Sequence, residues 1–135
     1  MSLISRLEGD SFMKTKVLII KHDTKAATEL RQQLAKNKDI CVCDIISDGG
    51  NAVSAIRAQN PNVILLDFLL PNLDGLEATK IIRELSATVP IIAQSAFAYE
   101  HDVKAAIEAG CNDFIAKPIA QSKLKEVINK WLTTE

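Results

Sequence analysis

Three side chains of complementary chemistry stand at the ends of short apolar runs. Asp67 follows Val63-Ile64-Leu65-Leu66, Ser95 follows Ile91-Ile92-Ala93-Gln94, and Lys117 follows Phe114-Ile115-Ala116. An aspartate at the tip of an all-apolar run is partly desolvated and has no helical partner. Each residue also has a plain structural use: Asp67 can cap a turn, Ser95 can end a strand and Lys117 can be a solvated turn residue. Together, a carboxylate, a hydroxyl and an ammonium converging on one crevice make a site for an anionic group. The carboxylate is the acceptor, and the other two neutralise and orient phosphoryl oxygens. A fourth polar group, Lys21-His22-Asp23, follows the first apolar run, Val17-Leu18-Ile19-Ile20.

Convergence requires a scaffold that brings these tips together, and the hydrophobic pattern supplies one. Short apolar runs alternate with segments of helical period. Val17–Ile20 predicts a strand, then Ala26, Ala27, Leu30 and Leu34 share a helical face. Ile40–Ile46 predicts the second strand, followed by an Asp48-Gly49-Gly50 turn and a helix carrying Val53 and Ile56. After the Val63–Leu66 strand, Asp74 caps a helix with Glu77 as capping-box partner, and Ala78, Ile81, Ile82 and Leu85 keep one face. Ile91–Ala93 predicts a fourth strand, and Val103, Ala106 and Ile107 a helix closed by Gly110. Phe114–Ala116 is the fifth strand, and Leu124, Val127, Ile128 and Trp131 line the last helix. Strands without polar alternation are buried on both faces, and short links between β and α elements demand parallel pairing. The predicted fold is α/β: a doubly wound, five-stranded parallel sheet of flavodoxin-like type. Ligands in such sheets bind beyond the carboxyl ends of the strands, where Asp67, Ser95 and Lys117 fall.

Composition narrows the function classes. The chain has 135 residues, 47% of them hydrophobic, enough for one buried core, and a net charge of −1. Direct binding to nucleic acid through bulk positive charge is not expected, and no apolar run is long enough for a membrane span. Cys41, Cys43 and Cys111 form no disulfide framework or metal spacing, and they are expected to be small buried hydrophobes in a reducing cytoplasm. Residues 1–15 show no period and no secretory signal. They are taken as a leader, disordered or partly of vector origin, ahead of a native start near Met13; the domain occupies 16–135.

The segment from Pro61 to Glu77, Pro61-Asn62-Val63-Ile64-Leu65-Leu66-Asp67-Phe68-Leu69-Leu70-Pro71-Asn72-Leu73-Asp74-Gly75-Leu76-Glu77, resembles the phosphoacceptor segment of bacterial response-regulator receiver domains. Pro90-Ile91-Ile92-Ala93-Gln94-Ser95-Ala96 resembles their fourth strand and its tip, and Gly110 to Pro118 their fifth strand with its Lys-Pro. The likeness runs over residues 16–132. It implies that Asp67 takes a phosphoryl group from a histidine of a kinase or phosphotransfer domain. Ser95 would be the hydroxyl that moves to the phosphoryl oxygen, Lys117 the ammonium that pairs with it, and Lys117-Pro118 a cis peptide. Phe114 would be the aromatic switch that reports to the face of the last two helices and fifth strand (Lys104, Glu108, Asp113, Phe114, Lys123). That face would pair in a homodimer or be an ordinary solvated surface. The resemblance also implies a cytoplasmic, non-enzymatic module, with self-phosphorylation and slow self-dephosphorylation as its only chemistry. Leu69 and Phe97 stand at the positions through which the family tunes hydrolysis, and neither can orient a water.

One departure stands out. Receivers carry two adjacent carboxylates after the first strand, which hold Mg²⁺ with the acceptor and a backbone carbonyl. This chain has Lys21-His22-Asp23, and two registers are open. In one, Lys21 and His22 occupy the acidic positions; Lys21, Lys117 and one carboxylate then sum to one positive charge, a divalent ion is unwelcome, and Lys21 stands in for it. In the other, His22 and Asp23 occupy them, and Asp23, Asp67 and the Leu69 carbonyl would hold Mg²⁺ weakly. Helical phase and the Asp23-to-Asp67 spacing favour the second. His22 itself is expected in a solvated turn, because magnesium prefers oxygen. Three functions compete: a phosphorylatable receiver, a pseudo-receiver acting without phosphorylation, and an aspartate-nucleophile hydrolase. The hydrolase needs a general acid where Leu69 stands, and no G-x-G-x-x-G follows the first strand to support dinucleotide binding. The chain holds no output domain after Trp131-Leu132, so it is expected to be a stand-alone receiver or a piece of a longer regulator or hybrid kinase.

Overall fold

A computed structural model of the chain describes residues 14–70, 73–96, 99–117 and 119–132. Among these, the order is β1 (Thr15–Ile20), α1 (Thr24–Ala35), β2 (Ile40–Ile46), α2 (Ala52–Gln59), β3 (Val63–Asp67), α3 (Gly75–Leu85), β4 (Ile91–Ser95), α4 (Glu100–Ala109), β5 (Asp113–Ala116) and α5 (Gln121–Leu132), with a 3-10 turn at Gly49–Asn51 before α2. The strands form one parallel sheet in the order β2-β1-β3-β4-β5. The predicted doubly wound fold is therefore present. The fold begins one residue earlier than expected: Thr15, assigned above to the leader, pairs with Ile40 and donates its N–H to the Asp39 carbonyl. Residues 1–13 of that leader lie outside the described residues, as do Pro118 and Phe97.

Side chains alternate across the sheet, so the apolar runs feed two cores. Leu18, Ile20, Ile64, Leu66, Ile91 and Ala93 pack with residues of α2, α3 and α4 on one face. Val17, Ile19, Val63, Leu65, Ile92 and Ile115 pack with Ala27, Leu30 and Leu34 of α1 and Leu124, Val127 and Ile128 of α5 on the other. A strand buried on both faces needs a continuous apolar run, and Val63–Leu66 is wholly buried.

Local chemistry ends the helices where the sequence implied. Asp74 accepts the Glu77 N–H at 2.8 Å and caps α3. Gly110 closes α4 at φ +125°, a conformation that a Cβ would strain. Arg83 ties α3 to the following strands: its guanidinium donates to the carbonyls of Ser86, Val89 and Gly110 and to Asn112 Oδ1. Trp131 Nε1 donates to Asp113 Oδ2 and fastens α5 to β5.

Two expectations are corrected. Cys41 is exposed and Cys43 half-buried, because both lie on β2 at the sheet's edge; only Cys111 is buried. Ile107, placed by its spacing on the inner face of α4, is 44% exposed, since α4 buries little beyond Ala106.

Candidate functional site

Strand register builds the site. Ile20 of β1 lies opposite Leu66 of β3, so the next residues, Lys21 and Asp67, meet at the switch point between neighbouring strands. Ser95 of β4 lies opposite Ala116 of β5, and the following Lys117 donates its N–H to the Ser95 carbonyl. The tips of four strands therefore share one end of the sheet. There Asp67 Oδ2 accepts from Lys117 Nζ at 2.7 Å and from Lys21 Nζ at 3.1 Å, while Oδ1 accepts the Leu69 N–H at 3.0 Å. The carboxylate is 3% exposed and Lys21 6%.

These contacts set the charges. Burial pushes the Asp67 carboxyl up, but the Lys117 hydrogen bond, the Leu69 amide and Lys21 together outweigh it, and the group sits below the usual carboxylate range. Burial pulls Lys21 below the ordinary lysine value; Asp67 opposes this shift and Lys117 adds to it. Two ammoniums against one carboxylate leave a net positive charge in a mostly buried pocket.

Ser95 is buried and faces the other side of the sheet. With Phe68, Leu69, Asp74, Gly75 and Phe114 it lines a cleft of about 280 Å³. Phe114 meets Phe68 edge to face, with ring centroids 6.3 Å apart. Phe68 in turn lies over Gly75, where a Cβ would collide with the ring. The hydroxyl and the aromatic assigned to the switch thus share one cleft, which begins at Phe68, the residue after Asp67.

The register favoured from sequence is not the one formed. Asp23 is exposed, and its Oδ1 accepts the Ala26 N–H at 3.1 Å as the N-cap of α1. His22 is exposed, as a solvated turn residue should be. Lys21 is the residue that enters the pocket, because β1 ends at Ile20 and the chain must turn at once into α1. Spacing alone could not separate these cases. Gln94 was also missed as a site neighbour. It lies opposite Asp67 in the β3–β4 register, is 1% exposed, and its Nε2 has no hydrogen-bond partner among the described residues. Its signal in the sequence is a lone amide in the run Ile91-Ile92-Ala93-Gln94-Ser95.

This residue set does not fit a magnesium ion. Mg²⁺ requires near-octahedral oxygen ligands at about 2.0–2.1 Å, and the expected pair of Asp23 and Asp67 is not assembled. Among the described residues no group of three His, Cys, Asp or Glu side chains could hold a metal. Both ammoniums already lie on Oδ2. At an effective dielectric of about 20, two unit charges at about 4 Å interact by about 4 kcal/mol, so each lysine would oppose a divalent ion by roughly twice that.

Comparison with known proteins agrees with this architecture. The response regulator receiver domain model matches residues 17–129, and the chain belongs to that family. It is 32% identical to the chemotaxis protein CheY of Bacillus subtilis, over 89% of this chain and 99% of that one. It is 32% identical to a part of the osmosensing histidine protein kinase SLN1 of Saccharomyces cerevisiae, over 95% of this chain but 11% of that protein. Transcription factor SKN7 of Candida albicans is 31% identical over 88% of this chain, which spans 21% of its length. Among solved structures, the receiver domain of sensor histidine kinase PA1611 from Pseudomonas aeruginosa, with magnesium coordinated in its active site cleft, is 31% identical, with a TM-score of 0.80 over 90% of this chain and 99% of that one. A two-component response regulator from Clostridium difficile reaches a TM-score of 0.83 at 26% identity, over 90% and 98%. Receiver domains are signalling modules of two-component systems that work with histidine kinases and phosphotransfer proteins. No described helix is long and apolar enough to cross a membrane.

Proposed function

We propose that this receiver accepts a phosphoryl group on Asp67 from a phosphohistidine of a partner kinase or phosphotransfer domain. The observation that carries this is the 2.7 Å contact of Lys117 Nζ with Asp67 at the shared end of β3 and β5. A carboxylate oxygen attacks phosphorus, the P–N bond breaks, and its electron pair returns to the imidazole nitrogen. Lys117 follows the charge from the carboxylate onto the phosphoryl oxygens, and Ser95 turns from its cleft to donate a third contact. Phe114 then repacks against Phe68, which changes the face formed by α4, β5 and α5, where a second copy or an effector reads the state. Leu69 is 68% exposed and apolar, offers attacking water no base, and so favours a long-lived phosphoryl group. The setting is cytoplasmic.

Lys21 favours a second reading, a pseudo-receiver whose resident ion pair replaces phosphorylation. Intact mass after incubation with acetyl phosphate separates the two. A phosphoryl adduct that hydroxylamine removes and that Asp67→Asn abolishes supports the first. An unmodified wild type supports the second.

A further inference from the structure

We infer that the pocket is a metal-free anion site in which the Lys21 ammonium takes the place of a divalent cation. Receivers use the ion to offset the acceptor carboxylate and the incoming phosphoryl charge. Here Lys21 Nζ lies 3.1 Å from the same Asp67 oxygen that Lys117 holds at 2.7 Å. Lys21 cannot leave easily: its side chain is 8% exposed, and its backbone N–H is fixed to the Ile46 carbonyl as β1 ends. The neighbouring carboxylate that could recruit an ion, Asp23, is spent on the cap of α1.

The geometry also leaves an approach. Lys21 and Lys117 together line a hollow of about 260 Å³ with Glu29, Leu30, Gln33 and Ile119, on the α1 side of the sheet. The same two residues that line this hollow hold Asp67 through their ammoniums. A phosphoryl oxygen arriving at Asp67 therefore meets two cations that are covalently part of the chain. This inference deepens the phosphoacceptor proposal in one respect, the source of the positive charge. Exclusion of the metal stands even if Asp67 is never phosphorylated.

The test is direct binding of Mn²⁺, a paramagnetic stand-in for magnesium, followed by line broadening of amide signals around Asp67 in ¹H–¹⁵N spectra of the whole chain. The wild type should show no site-specific broadening. Lys21→Asp/His22→Asp, which restores the acidic pair, should gain it, with affinity at least about tenfold higher. The same spectra show whether the variant is folded; if it is not, Lys21→Gln, which removes one opposing charge, should also bind Mn²⁺ more tightly than wild type. Broadening near Asp67 in the wild type, or no gain in a folded variant, overturns the inference. In parallel, any phosphoryl adduct formed from acetyl phosphate should be insensitive to a chelator, and strict dependence on added Mg²⁺ overturns it too. Absence of an adduct under every condition counts against the phosphoacceptor proposal alone, because the Mn²⁺ result still decides the metal question.

Discussion

Asp67→Asn makes the charge balance of the pocket measurable, because its sign is opposite to that expected of an acid-rich pocket. Where several carboxylates crowd together, neutralising one relieves repulsion. Here Asp67 is the shared partner of two ammoniums. An asparagine offers one oxygen, which can serve the lysines or the Leu69 N–H but not both, and its hydrogen bonds lose the charge assistance that roughly doubles their strength. Lys117, with its side chain 25% exposed, can swing toward water, whereas Lys21 at 8% cannot. Losing a hydrogen bond to a charged group costs about 1.5–3 kcal/mol, and leaving a buried charge unpaired costs about 3–5 kcal/mol in full burial. With Lys117 free to relax, a net loss of about 3 kcal/mol follows, a fall in Tm of roughly 10 °C for a domain of this size. The penalty has a defined pH course. Lys21 already titrates below its ordinary value, and without Asp67 it must fall further. The destabilisation is therefore full below the folded-state value and fades as pH rises from there toward the ordinary lysine range, where the folded protein has shed the proton. Thermal melts followed by circular dichroism near neutral pH and again in the alkaline range read both effects, and adding Lys21→Met to the variant should restore most of the loss. A Tm for Asp67→Asn equal to or above that of the wild type would refute the paired-ammonium account.

Three further outcomes rest on other contacts. Arg83→Ala leaves the carbonyls of Ser86, Val89 and Gly110 without their donor and should lower stability by about 2–4 kcal/mol in urea unfolding; Arg83→Lys should not rescue it, since an ammonium cannot span the same fork. Gly75→Ala drives a Cβ into the Phe68 ring, so about 1–3 kcal/mol of overpacking outweighs about 1 kcal/mol of helix propensity, and unshifted Phe68 and Phe114 ring resonances would contradict the packing described. Asp67 has its carboxyl below the ordinary value, so its stabilising share is complete above the unfolded carboxylate pKa and is lost as pH falls through the folded one; a side-chain ¹³C titration should give a midpoint under about 3.9, and a midpoint at or above it would contradict the pairing.

The alternation of apolar runs and helical stripes determined the architecture, because a parallel sheet covered on both faces admits few other arrangements of these segments. That architecture by itself puts Asp67, Ser95 and Lys117 at one end of the sheet, each at the last position of a strand segment or just past it. The same pattern ended β1 at Ile20, as observed, but could not say which of the polar residues after it enters the pocket. A shift of one residue reverses which side chains face the pocket, and Lys21, His22 and Asp23 are all polar, so hydrophobicity carried no signal there. Only the pairing of Ile20 with Leu66, together with the early start of α1 and its need for an N-cap, sent Lys21 inward and Asp23 to the surface. Edge position likewise exposed Cys41, which composition alone would have buried. Tertiary pairing, not residue type, decided that the charge beside Asp67 is an ammonium.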